Sequence, residues 1–212
     1  MPSWNIHLEA GERLASHLKL SGKKRKEFLL GCLLPDINNG YVNKAEIIKE
    51  HRETHYAFDQ KSSLNFYGEN KTEIDNRTPI FLGYLFHLFT DGFFNYNFYH
   101  NFKHSPLSRG ISPEEKTDIK HHDFWLYDTN FHHALNVTAE EAAALATTAN
   151  QINAVEISAR EILDVDEIMK SGKLSQSVKK EPYIFYSEQE LSQVLDDTLK
   201  EFIKQYLGES HA

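Results

Sequence analysis

The sequence predicts an all-α fold, a single-domain helical bundle of about eight helices. Apolar residues recur at spacings of three and four, which places them on one face of a helix. Signals for helix starts and stops bound these periodic segments. No segment alternates convincingly between apolar and polar residues, and no internal repeat is present. Periodicity and boundaries together therefore predict helices throughout.

The predicted domain covers the whole chain, residues 1–212, which is long enough to bury one sizeable core. We expect residues 1–135 to hold the functional site and helices within 138–207 to complete the bundle. The polar segment 61–78 is predicted to be a loop. The predicted helices, in chain order, cover residues 5–20, 23–34, 44–60, 79–98, 113–135, 139–150, 157–170 and 187–207.

The first two helices have different signatures. Helix 5–20 has an apolar side formed by three leucines, and it stops at Ser21-Gly22. Helix 23–34 begins with basic residues and continues with apolar ones. It ends before Pro35, because proline cannot continue a helix without losing a hydrogen bond.

Capping signals begin three of the later helices. Pro79 stands in the first turn of the central helix, where the missing N–H of proline is tolerated. Ser112-Pro113 precedes two acidic residues, which suit the first turn of a helix. Thr138 with Glu141 matches a capping box. The last two helices are identified by their apolar faces.

Composition excludes several classes of protein. A formal net charge of −8 provides no basic surface for duplex nucleic acid, although a small phosphate-bearing substrate remains compatible. The single cysteine, Cys32, excludes an internal disulfide framework and fits a small buried apolar residue. Charges stand where the apolar part of a signal peptide would lie. The apolar run 79–98 contains His87 and Asp91, so no transmembrane segment is expected. We expect a cytoplasmic protein, and the oligomeric state does not follow from the sequence.

The apolar run from Pro79 to Phe98 contains two groups that are unusual in a core, His87 and Asp91. Four residues apart on a helix, they share one face and lie about 5–6 Å apart at Cβ. An ionised carboxylate is costly to bury unless it is paired or bound to a metal. The pair therefore predicts either a core histidine bonded to its aspartate or an intrahelical metal-binding pair.

Three earlier residues could join this pair. Asp36 directly follows an apolar helix, so it is either a turn residue or lies near the core. His55 precedes aromatic residues and could point inward, whereas His51 and Asp59 fit an exposed polar face. His7 stands at the start of the first helix, a position that is usually at the surface.

The helix 113–135 offers further candidates. His121 shares a helical stripe with Asp128, and His122 is followed directly by Asp123. At least half of the polar residues here must be solvated, because one helix cannot bury every face. We therefore keep His121 and His122 as candidate metal ligands and leave open which of these side chains face the site.

Histidines and carboxylates on at least four helices form the ligand set that a bundle needs for a metal cluster. Nitrogen and oxygen ligands without thiolate favour zinc, with manganese or iron as alternatives. A metal with an open coordination position generates hydroxide near neutral pH, and two metals about 3.5–4 Å apart can clamp a phosphoryl group. The sequence therefore predicts a metal site between the helices of the bundle.

The same residues resemble the bacterial zinc-dependent phospholipase C family, whose all-helical fold is shared with single-strand-specific nucleases. The resemblance extends over about residues 4–130 and rests on the order and spacing of several short motifs. The matching positions are His7 in MPSWNIH, Asp36 in GCLLPDI, His55 in THY, and His87 with Asp91 in GYLFHLFTD.

The resemblance implies a set of metal ligands. Asp36, His55, His87 and Asp91 would bind one zinc ion. Asp91 would also reach another metal, which His7 would help to bind. We expect one zinc ion, and two or three if the further sites form.

The family's second site would need a histidine soon after Asp91, where this chain has Asn95 and Asn97. It would then need a His-x-x-x-Glu pair, for which KHHDFWLYD offers His121 and His122 among its candidates.

We therefore expect a zinc-dependent phosphoesterase in which a metal-bound hydroxide attacks a phosphodiester, with Asp36 as the catalytic base and a small phosphate ester as substrate. Two alternatives stay open. One is an HD-type metal phosphohydrolase built on the adjacent His122-Asp123, with His55 or His87 as a further ligand. The other is a non-catalytic helical metal-binding protein.

Overall fold

The computed structural model describes residues 3–37, 48–56, 61–172 and 182–208, and every regular element in these ranges is helical. The all-α prediction is confirmed. None of the described helices combines the length and the apolar character needed to cross a membrane. Eight of the eleven α-helices in the described ranges have eight residues or more. The eleven helices are α1 (Trp4–His17), α2 (Gly22–Gly31), α3 (Leu34–Ile37), α4 (His51–His55), α5 (Ser62–Glu69), α6 (Lys71–Asp75), α7 (Pro79–His104), α8 (Pro113–Asp128), α9 (Ala139–Ala149), α10 (Ala159–Ser171) and α11 (Glu188–Phe202).

The fold is built around α7. Every residue from Ile80 to Asp91 is buried, so the first half of this helix has no solvent-exposed face. Such a helix must be covered on all sides, and α1, α2, α3, α5, α6 and α11 pack against it. The ring of Phe86 contacts that of Phe202 in α11, with centroids 4.7 Å apart. The buried apolar side chains of the described residues join in one continuous core around α7.

Two glycines set the distance between α2 and α7. A Cβ atom on Gly31 would lie 2.3 Å from a carbonyl oxygen of α7, and one on Gly83 would lie 2.1 Å from a carbonyl oxygen of α2. No side chain tolerates such contacts, so only glycine permits this approach at either position. The close packing brings the backbone of Cys32, at the end of α2, against His87 in α7.

The segment 61–78 forms α5 and α6, so its assignment as a loop was wrong. Phe66 of α5 and Ile74 of α6 are both buried in the core. The ring of Phe66 stacks on that of Tyr84 in α7, with centroids 4.5 Å apart. A short helix is marginal on its own but forms when a neighbouring helix covers its apolar side. Tertiary packing therefore outweighed the polar composition of this segment.

The helix predicted over 113–135 ends earlier, at Asp128. The Asp128 carboxylate accepts hydrogen bonds from the backbone N–H and the side-chain amide of Asn5, at 3.1 and 2.9 Å. This contact fixes the last turn of α8 against the start of α1. Residues 129–138 then continue as an irregular connection to α9.

Predicted capping signals are confirmed at α8 and α9. Ser112 with Glu115, and Thr138 with Glu141, form complete capping boxes. The helix predicted over 44–60 falls only partly within the described residues. Residues 48–56 contain α4, and Asp59 lies outside the described residues. The last helix continues beyond Phe202 as one π-helical turn, Ile203–Leu207.

Candidate metal centre

Five side chains singled out from the sequence meet in one buried cluster. Each is at most 8 % exposed, including the two carboxylates. The cluster therefore lies inside the fold, between helices that are far apart in the sequence. Its members are His7 of α1, Asp36 of α3, His55 of α4, and His87 and Asp91 of α7.

The distances within the cluster are close to those between ligands of a single small cation. His55 Nε2 lies 3.5 Å from Asp36 Oδ1 and 3.4 Å from Asp91 Oδ2. His87 Nε2 lies 3.5 Å from Asp91 Oδ2, 4.0 Å from Asp36 Oδ2 and 3.4 Å from His55 Nε2. Two atoms that bind zinc tetrahedrally at about 2.0–2.1 Å are about 3.3 Å from each other. These four side chains thus have nearly the spacing of zinc ligands.

His7 extends the cluster on one side. Its Nε2 lies 3.3 Å from Asp91 Oδ1, and its ring stacks on that of His87 with centroids 3.9 Å apart. His7, Asp36 and His87 offer ligand atoms within 4.8 Å of one another, and so do His55, His87 and Asp91. The cluster therefore contains two overlapping groups that could hold a metal ion, and they share His87.

Hydrogen bonds from outside the cluster orient two of its imidazoles. His87 Nδ1 donates to the Cys32 carbonyl oxygen at 2.8 Å, because a carbonyl oxygen can only accept. The Thr54 hydroxyl donates to the His51 carbonyl oxygen at 3.3 Å and lies 2.9 Å from His55 Nδ1, from which it can accept. Both contacts favour a proton on Nδ1 and leave Nε2, which faces the carboxylates, as the metal-ligating nitrogen.

Several polar atoms of the cluster are buried without a hydrogen-bond partner among the described residues. They are both oxygens of Asp91, Oδ1 of Asp36 and both ring nitrogens of His7. Leaving a buried carboxylate oxygen unsatisfied is costly, whereas a cation among these atoms would satisfy several of them at once. The residues therefore fit a metal ion in chemistry as well as in spacing.

The pKa shifts within the cluster also favour the binding of a cation. Burial alone would raise the pKa of Asp91, but the neighbouring His87, His55 and His7 hold it well below its usual range. Burial likewise opposes ionisation of Asp36, yet His87 and His55 lower its pKa. Burial lowers the pKa of His55, but the two carboxylates outweigh it and raise that pKa to about 9. These shifts favour the ionised form of both carboxylates, whose two negative charges a divalent cation compensates more fully than one protonated histidine does.

The structure keeps His121 and His122 apart from this cluster. His121 stacks on Trp125, with ring centroids 5.4 Å apart, and burial lowers its pKa to about 4. His122 Nε2 lies 3.0 Å from the Pro182 carbonyl oxygen. Neither histidine belongs to a candidate metal group in the described part of the chain. They were chosen from the polar residues of the predicted helix 113–135, but in the structure His121 contacts Trp125 and His122 contacts the segment before α11.

The Asp123 carboxylate is bound by backbone N–H groups and lies outside both candidate metal groups of the described residues. The side chain of Asp123 is fully buried, and its carboxylate accepts backbone hydrogen bonds from Ile184, Phe185 and Tyr186 at 2.8, 2.9 and 2.8 Å. An HD-type site would need this carboxylate among the metal ligands. Because both oxygens already bind backbone amides, the geometry gives the HD-type alternative no support.

Sequence reasoning missed the groups that orient the imidazoles. Cys32 is buried as expected, but its backbone carbonyl, which leaves no signal in a sequence, makes the contact to His87. Thr54, directly before His55, was a usable signal, because a hydroxyl can hydrogen-bond the far nitrogen of a ligand histidine. His51, expected on an exposed face, is half-buried, and its ring stacks on that of His55 at 3.7 Å.

Residues 6–212 match the family described as zinc dependent phospholipase C. The chain belongs to this family. The match reaches well beyond the first 130 residues and includes α9, α10 and α11, so these helices are part of the family's fold. Comparisons with curated proteins and with solved structures gave no match. Membership in the zinc-dependent phospholipase C family supports a zinc phosphodiesterase-like function, and the buried His and Asp groups are candidates for binding the metal.

In this member of the zinc-dependent phospholipase C family, α7 continues past Asp91 with two asparagines. The side-chain amide of Asn97 donates to the Phe93 carbonyl oxygen within the same helix, at 2.9 Å. The side-chain oxygen of Asn95 instead accepts a hydrogen bond from Lys120 of α8, at 3.0 Å. The region where the resemblance implied a second site therefore presents an amide and an ammonium group.

Proposed function

We propose that this chain is a zinc-dependent phosphodiester hydrolase. One zinc ion would be held by Asp36, His55, His87 and Asp91, and His7 would contribute to a further ion that shares Asp91. The observation that carries the proposal is a pair of buried carboxylates that lie 3.3–4.0 Å from histidine nitrogens. Within the described residues, both oxygens of Asp91 and Oδ1 of Asp36 have no hydrogen-bond partner. Bound zinc supplies Lewis acidity and lowers the pKa of coordinated water.

The residues around the metal have separate tasks in this proposal. His55 and His87 are oriented by Thr54 and by the Cys32 carbonyl oxygen, so they form the rigid side of the site. Asp36 has one oxygen without a hydrogen-bond partner among the described residues. A carboxylate can ligate through one oxygen and accept a proton through the other, so Asp36 is the proposed general base that takes a proton from the attacking water.

The substrate class in this proposal is a small phosphate ester. The five side chains of the cluster are at most 8 % exposed, so little water surrounds the site. In such surroundings the attraction between cationic groups and an anionic phosphoryl group is stronger than in water.

Zinc content and turnover of the purified chain test the proposal. We expect near-stoichiometric zinc by elemental analysis, and hydrolysis of bis-nitrophenyl phosphate that a chelator abolishes and added zinc restores. His87→Ala should lose both zinc and activity, because it removes the ligand that both candidate groups share. His100→Ala is the matched control, since His100 is an exposed histidine on the same helix.

The outcomes separate the alternatives. A folded chain that binds no divalent metal would contradict the proposal. Manganese or iron in place of zinc would keep the site and change its ion. Stoichiometric zinc without chelator-sensitive turnover would instead indicate the non-catalytic metal-binding alternative.

A further inference from the structure

A buried lysine contacts the helix that carries His87 and Asp91 of the candidate metal centre. Lys120 of α8 is 6 % exposed, and its Nζ donates to Asn95 Oδ1 at 3.0 Å and to the Tyr99 hydroxyl oxygen at 3.4 Å. Within the described ranges no carboxylate forms an ion pair with it, so both acceptors are neutral. A buried ammonium group is costly unless an anion compensates its charge. Lys120 therefore has the surroundings of a group that binds an anion.

The position of Lys120 relates it to the metal centre. His87, Asp91, Asn95 and Tyr99 follow at four-residue intervals and so form one stripe along α7. Asn95 lies about 6 Å beyond Asp91 along the helix axis. Exposure rises from 0 % at His87 through 6 % at Asp91 to 39 % at Tyr99. The stripe thus leads from the buried cluster to the surface, and Lys120 contacts it at Asn95 and Tyr99.

We propose that Lys120 binds an anionic phosphoryl oxygen of the phosphate ester while the phosphorus lies beside the metal centre. This inference rests on the proposed function. The ammonium group has three N–H donors, and two of them meet the neutral oxygens of Asn95 and Tyr99, so one donor remains. A hydrogen bond from an ammonium to a phosphate oxygen is charge-assisted and stronger than one between neutral groups.

The charge balance of the site supports this role. The two negative charges of Asp36 and Asp91 balance one zinc ion, so with one zinc bound these groups leave no excess positive charge for an anionic substrate. The ammonium group of Lys120, which is bonded to Asn95 one helical turn beyond Asp91, supplies a positive charge along the same stripe. Asn95 accepts a hydrogen bond from the ammonium group and leaves its positive charge uncompensated. An aspartate at the same position would neutralise that charge.

The test measures the binding of inorganic phosphate to the zinc-loaded full chain by isothermal titration calorimetry. Lys120→Met keeps the aliphatic stem and removes the charge, and we expect phosphate affinity to fall about tenfold or more with unchanged zinc content. Lys120→Arg should retain most of the affinity, since it keeps a cationic donor. Lys116→Met is the matched control, because the Nζ atoms of Lys116 and Lys120 both lie over the Tyr99 ring, 4.4 and 5.1 Å from its centroid. We expect its phosphate affinity to match that of the wild type.

A second measurement covers the case in which Lys120→Met does not fold. In the wild-type chain, the ¹³Cε resonance of Lys120, assigned with the arginine variant, should shift as phosphate is added, and that of Lys116 should not. Unchanged phosphate affinity in a folded, zinc-loaded Lys120→Met chain, or an unmoved Lys120 resonance, would overturn the inference.

Phosphate binding by Lys120 and phosphodiester hydrolysis can be tested separately. Phosphate binding that depends on Lys120, without hydrolysis of bis-nitrophenyl phosphate, would support the anion site and contradict the hydrolase. Zinc-dependent hydrolysis with the same kcat and KM in Lys120→Met would do the reverse, and would leave Lys120 with a packing role only.

Discussion

Asp91 and Asp123 are carboxylates buried on neighbouring helices, yet the atoms around their oxygens differ completely. The Asp123 oxygens accept hydrogen bonds from three consecutive backbone N–H groups before α11. The Asp91 oxygens have no hydrogen-bond donor among the described residues and lie 3.3–3.5 Å from the Nε2 atoms of three histidines. Backbone dipoles compensate the first charge, whereas the second is left for a cation.

This difference teaches that burial alone does not locate a site. Asp128 and Asp166 are also buried, and each accepts hydrogen bonds from backbone N–H groups: of Asn5 for the former, of Asn136 and Val137 for the latter. Asp128 holds the start of α1, and Asp166 holds the connection before α9. A buried carboxylate without such donors, surrounded by imidazole nitrogens, is the arrangement that indicates a metal.

Asp91→Asn should give the largest effect. The substitution keeps the size of the side chain but removes the charge and one ligand oxygen, so we expect zinc content to fall close to zero and hydrolysis to be lost. Zinc at a hundred times its Kd should stabilise the wild-type chain by about 2.7 kcal/mol, and this stabilisation should vanish in the variant. Elemental analysis and thermal unfolding with and without zinc measure both changes.

Asp164→Asn is the control for that experiment, because Asp164 is a partly exposed residue of α10 whose carboxylate pairs with Arg160 four residues earlier and, in the described part of the chain, belongs to neither candidate metal group. It should bind zinc as the wild type does. An Asp91→Asn chain with full zinc content would show that Asp91 is compensated in some other way, and the contrast with Asp123 would then fail.

Much of the fold could be predicted because helical periodicity and capping are local. Pro79 at the start of α7 and the capping boxes of α8 and α9 are signals contained within a few residues. The helices α5 and α6 were missed because their stability depends on distant contacts, such as that between Phe66 and Tyr84. The glycines at 31 and 83 carry a similar long-range meaning, which becomes visible only when α2 and α7 are packed.

The candidate site could be predicted to a similar extent. His87 and Asp91 stand out because polar groups four residues apart in an apolar run must have partners inside the fold. His121 and His122 were equally plausible by residue type, and only the packing of α8 turns them elsewhere. The neutral surroundings of Lys120 could not be read from the sequence at all, since they depend on the contact between α7 and α8.

Asp123→Ala should give the second largest effect, on stability instead of zinc binding. Removing the carboxylate leaves three backbone N–H groups without their acceptor, and we expect the free energy of unfolding to fall by about 3 kcal/mol. Zinc per folded chain should be unchanged, because Asp123 belongs to neither candidate metal group. Chemical denaturation of the zinc-free and zinc-loaded chains measures the loss. A normal stability combined with lost zinc would reverse the roles assigned to Asp123 and Asp91.

Thr54→Val should give the smallest effect and tests how finely the cluster is arranged. Valine fills the same buried volume but cannot accept the hydrogen bond from His55 Nδ1, so the imidazole loses the group that orients it. Losing an outer hydrogen bond to a ligand histidine lowers metal affinity by about 10–100-fold. Competition with a chelator of known affinity measures the change, and Thr54→Ser should restore most of the loss because it returns the hydroxyl. If the Thr54→Val chain binds zinc as tightly as the wild type, His55 is held by Asp36, Asp91 and the stacked ring of His51 without help from Thr54. The cluster itself would then provide the rigidity that Asp123 obtains from backbone amides.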